Sequence, residues 1–72
     1  MAKLKFVLDL PISEYECQQV RKEVSAIDQS AQVRFISDVE EPEMYNSFVV
    51  KTKKEEVLEH HQFDSCVASK VE

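Results

Sequence analysis

Seventy-two residues, 43% hydrophobic and 32% charged, with 9 bases against 14 acids and a formal net charge of −5, describe one folding unit, residues 1–72, without room for a second core. Such a composition excludes disorder, and no apolar run approaches the roughly 18 residues of a membrane span. Glycine is absent, which excludes phosphate-cradling loops of the P-loop or dinucleotide type and leaves the turns to Asp, Asn and Ser.

Along the chain, Lys3 to Leu10 alternates strictly, with Leu4, Phe6, Leu8 and Leu10 on one side and Lys3, Lys5, Val7 and Asp9 on the other. This predicts a half-buried strand that Pro11 stops. Ser13-Glu14-Tyr15-Glu16 has the spacing of a capping box, and Ile12 and Cys17 that of a hydrophobic staple, so a helix starts at Ser13. Cys17, Val20, Val24, Ile27 and Ala31 recur at helical steps as one apolar stripe, and the helix is expected to end near Gln29.

Val33, Phe35 and Val39 form one side of a second strand, and Phe48 and Val50 one side of a third, opposite Tyr45, Ser47, Val49 and Lys51. The acidic, proline-bearing connection between them is too long for a two-residue hairpin and predicts an antiparallel pair with a floppy tip. Residues 52–72 admit two readings. Lys53 to Gln62 is rich in helix formers and Val67, Ser69 and Val71 alternate like a strand, or a single helix continues to the C-terminus. The first gives a ferredoxin-like βαββαβ arrangement of α+β class, two helices on one face of a four-stranded antiparallel sheet in the order 4-1-3-2; the second gives βαββα.

The segment Lys5-Phe6-Val7-Leu8-Asp9-Leu10-Pro11 resembles the first-strand motif of RNA-recognition modules. That likeness implies an aromatic facing solvent to stack on a base, whereas parity puts Phe6 in the core with Leu4 and Leu8. The third strand offers only Tyr45 and Phe48, on opposite faces. Copper-chaperone-like domains share the layout but need a C-x-x-C that Cys17 and Cys66 do not supply, and no family is assigned.

No catalytic signature is present, and no cofactor is expected. His60 and His61 are adjacent and do not share a helix face, so they do not make a metal pair. Cys17 lies on the buried stripe and reads as a small hydrophobe. Two cysteines are too few for a disulfide framework, and the N-terminal residues lack a signal-peptide pattern, so a cytoplasmic location is expected.

Charge supplies the remaining pattern. Asp38, Glu40, Glu41 and Glu43 make the hairpin connection acidic, and Glu55 to Asp64 adds four more acids without a base. If Val67 and Val71 face the helices with the other strand apolars, the opposite face displays Lys3, Lys5, Arg34, Lys51 and Lys70 with Val7, Ile36, Tyr45 and Val49. Cations mixed with exposed β-branched residues suit a partner surface or a dimer seam. A non-enzymatic protein–protein interaction or regulatory module is therefore expected, acting through Lys5, Val7, Arg34, Ile36, Tyr45, Val49 and Lys51 or through the acidic hairpin. Its partner would be another protein or a second copy, not a membrane. An acidic inhibitor that imitates nucleic acid is the alternative, and single-stranded nucleic-acid binding on the cationic face, disfavoured by the lone Tyr45, is the third.

Overall fold

The computed structural model describes residues 1–71, which form β1 (Ala2–Ile12), α1 (Glu14–Ile27), β2 (Gln32–Ser37), β3 (Tyr45–Thr52), α2 (Glu55–Glu59) and β4 (Ala68–Val71). The strands pair antiparallel in the order β2-β3-β1-β4, so the chain has the ferredoxin-like βαββαβ topology, with a strand rather than a continued helix near its end.

The core is built as the alternation and the helical stripe dictate. Leu4, Phe6 and Leu8 of β1, Cys17, Val20 and Val24 of α1, Phe48 and Val50 of β3 and Leu58 of α2 are buried together. Phe6 stacks on Phe48 at 5.1 Å between ring centroids, and Phe63 meets both edge-on at 5.4 Å. Such geometry adds about 0.5–1.5 kcal/mol per pair to the area buried. Ile12 and Cys17, the expected staple, both belong to this cluster, and the Ser13 amide and hydroxyl donate to Glu16 Oε1 at 3.2 and 3.1 Å.

No described residue has positive φ, and the turns rely on aspartate as a glycine-free chain requires. Asp28 and Asp38 each accept the backbone amide two residues on, from Ser30 at 3.0 Å and Glu40 at 2.9 Å. Asp28 also ends α1 at Ile27, two residues before the expected Gln29, because its backbone is extended and its carboxylate is engaged elsewhere.

Several expectations change. Pro11 does not stop β1, which runs to Ile12, and Leu10 is 77% exposed instead of buried. Between the pairs Val7↔Ser47 and Ile12↔Tyr45, β1 has four intervening residues against the single Asn46 of β3. Residues 8–11 therefore arch off β3, the Asp9 amide bonds to the Val67 carbonyl at 3.1 Å, and Ile12 takes the core place assigned to Leu10. Pro11, without an N–H, sits in the arch, where no ladder bond is lost.

The same irregularity reverses the parity of β3 at Tyr45. Its hydroxyl donates to Glu14 Oε2 of α1 at 3.2 Å and its ring meets Phe35 at 5.9 Å, so it lies on the helical side. In β4, Lys70 stands opposite Phe6 and Ala68 opposite Leu8, which puts Ser69 and Val71 on the open face and Lys70 on the helical one, 3.6 Å from Glu59. Val39 lies beyond β2 and is 92% exposed. The hairpin tip is not floppy in its bonding, since Asp38 N–H donates to Met44 O at 2.9 Å and Met44 N–H to Glu41 O at 2.8 Å.

Candidate functional site

Both helices cover one side of the sheet and leave the other open. Opposed residues of an antiparallel pair share a face, so the register lays out the open surface as three cross-strand rows. The first is Lys3, Lys51 and Gln32; the second is Val71, Lys5, Val49 and Arg34; the third is Ser69, Val7, Ser47 and Ile36. Val7, Ile36 and Val71 are about two-fifths exposed, Val49 is half-buried, and Ser47 is buried between Val7 and Ile36. A depression of about 460 Å³ opens between Lys3, Arg34, Val49 and Lys51.

Of the nine face residues expected from sequence, Lys3, Lys5, Val7, Arg34, Ile36, Val49 and Lys51 come together here and Tyr45 and Lys70 do not. Val71 and Ser69 were not expected and replace Lys70. Four bases occupy these rows and no acid does, while the other five bases share the rest of the chain with the acids. None of the four is ion-paired among the described residues. A chain of net negative charge thus carries a locally positive, half-apolar face, with lysine and arginine stems beside the β-branched side chains.

The acidic residues of the connection, Asp38, Glu40, Glu41 and Glu43, gather at the end of the sheet next to the Ile36 row, beyond Ser37 and before Tyr45. Glu40, Glu41 and Glu43 are exposed, with Val39 among them, and Asp38 is half-buried.

Two further carboxylates organise the scaffold. Asp28 accepts the Thr52 hydroxyl at 2.6 Å and the Lys53 amide at 3.1 Å on Oδ2, and the Ser30 hydroxyl at 2.7 Å on Oδ1. The Thr52 bond, then those from Ser30, hold its carboxyl well below the usual range. Glu23 grips the loop before β4: Oε1 faces His61 Nε2 and the Asp64 amide, both at 3.0 Å, and Oε2 accepts the Ser65 hydroxyl at 2.7 Å. Burial pushes the Glu23 carboxyl up, but the Asp64, Ser65 and His61 bonds outweigh it and leave it lowered.

The thiols are poor nucleophiles, since burial pushes both Cys17 and Cys66 up to about 11. His60 is mostly exposed beside Glu59, and among the described residues no group of three or more His, Cys, Asp or Glu is placed to hold a metal ion. No described helix is long and apolar enough to cross a membrane. Comparison of the chain with protein-family models, with curated proteins and with solved structures returned no match.

Proposed function

We propose that the chain is a non-enzymatic protein-interaction or regulatory module whose contact surface is the open face of the sheet. The observation that carries this reading is one juxtaposition: Val7, Ile36, Val49 and Val71 left partly in water, interleaved with Lys3, Lys5, Arg34 and Lys51 and with no acid among them. β-branched side chains concentrated on one face gain by being covered, and unpaired cations at their margin select an acidic partner and speed its approach. Single-stranded nucleic acid fits less well, because the rows contain no aromatic on which a base could stack once Tyr45 has turned to the helical side. Two free, protonated thiols suit a reducing compartment, and the cytoplasm is the location we assign.

The test is partner capture from cell extract with wild type and with Val7→Glu, Ile36→Glu and Val49→Glu. These positions already face water, so the variants should fold, while a carboxylate at the centre of a covered patch should abolish the contact. An inhibitor imitating nucleic acid would behave in the opposite way, losing its partner on reversal of Glu40, Glu41 and Glu43 and keeping it in the three sheet variants.

A further inference from the structure

The acidic hairpin tip and the cationic sheet face complement one another in charge and in apolar content. The tip carries Asp38, Glu40, Glu41 and Glu43 around the 92% exposed Val39, and the face carries four bases around half-exposed valines and an isoleucine. Within one molecule they do not meet. β2 runs towards the tip, so the row of Lys3, Lys51 and Gln32 lies four residues, roughly 13 Å at the usual strand rise, farther from it than Ile36 does. The tip is also held closed by the Asp38–Met44 and Met44–Glu41 backbone bonds and by the Asp38 carboxylate on the Glu40 amide. Among the described residues no ion pair joins any tip acid to any face base.

We propose that the tip of one copy docks on the open sheet face of a second copy. This rests on the reading of that face as a contact surface and names its occupant. Two faces set squarely against each other would oppose two sets of four bases, a repulsive alignment. Sliding the copies apart about a two-fold axis removes that clash and brings each tip over its partner's bases, so both contacts form together. Each contact alone is small, and the reciprocal pair doubles the area covered. Glu40, Glu41 and Glu43 meet Lys5, Arg34 and Lys51, and Val39 meets the patch of Val49 and Ile36.

Charge exchange tests the assignment. One variant carries Glu40→Lys, Glu41→Lys and Glu43→Lys, a second carries Lys5→Glu, Arg34→Glu and Lys51→Glu, and a third carries all six. Sedimentation equilibrium measures association, and thermal melts confirm that each variant folds. Wild type should dimerise, less tightly as salt rises from roughly 0.1 to 1 M and the screening length falls from about 10 to about 3 Å. Each three-site variant should weaken the dimer at least about tenfold, and the six-site variant should recover most of that loss. A wild type monomeric at every concentration, or a folded six-site variant no better than its parents, overturns the docking. If wild type is monomeric yet captures a protein that Val7→Glu loses, the face is still a contact surface and only its occupant is wrong. Salt-sensitive binding of a labelled single-stranded oligonucleotide to the face, without dimerisation, likewise overturns the second copy as occupant.

Discussion

Thr52 donates its hydroxyl to Asp28 Oδ2 at 2.6 Å, joining the end of the third strand to the residue that stops the first helix 24 positions earlier. Thr52 is fully buried and its oxygen also accepts the Lys54 amide at 2.9 Å, so one hydroxyl serves the helix stop, the strand end and the start of the second helix. Replacing Thr52 by Val should cost roughly 1.5–3 kcal/mol, the range for a hydrogen bond to a charged group, measured as a lower denaturant midpoint at unchanged slope.

Asp28 and, in a separate cluster, Glu23 shape the response to acid. The Asp28 carboxyl is lowered from an ordinary 3.8 and the Glu23 carboxyl from 4.5, so below neutrality the unfolded chain binds protons more readily than the folded one. The stabilisation is complete above those ordinary values and is lost as pH falls through the lower folded ones. Melting temperature should therefore drop steadily below about pH 4, and Asp28→Asn should be less stable at neutral pH but have a flatter acid limb. Equal steepness in the two proteins would remove Asp28 from the explanation.

In the core, Val20→Asp or Val24→Asp should abolish cooperative unfolding, because each side chain is buried with nothing to pair a carboxylate. Ile12→Ala should cost about 2–5 kcal/mol, whereas Leu10→Ser should change stability by less than about 0.5 kcal/mol, although strict alternation along β1 implies a buried Leu10.

Tyr45→Phe removes only the bond to Glu14 on the helical side. Binding of any partner to the sheet face should be unchanged in this variant, as read by the same capture or sedimentation measurement used for the face variants.

What the sequence made legible were the features written in consecutive residues. The alternation from Leu4 to Leu8, the capping box at Ser13 and the stripe of Cys17, Val20 and Val24 all reappear in the structure, and with them the βαββαβ order. The orientation of Tyr45 was not legible, because it depends on a mismatch of four residues against one between strands far apart in the chain. The face of β4 was misread because this short edge strand puts only Ala68 against the core, while Phe63 and Cys66 of the preceding loop cover it. The long-range roles of Asp28 and Glu23 gave no signal, since apart from Ser30 beside Asp28 their donors lie 24 to 42 residues away. On the open face seven of the nine residues that parity names come together, and Val71 takes a place there for the same reason that Lys70 leaves it.

The most direct measurement is a methyl-selective NMR spectrum recorded as the protein is concentrated or a captured partner is added. If the open sheet is the contact surface, the Val7, Ile36, Val49 and Val71 methyl signals move together, while those of the buried Val20, Val24 and Val50 stay in place. Movement confined to Leu10 and Val67, on the far side of the β1 arch, with the four sheet methyls unmoved, would contradict the account.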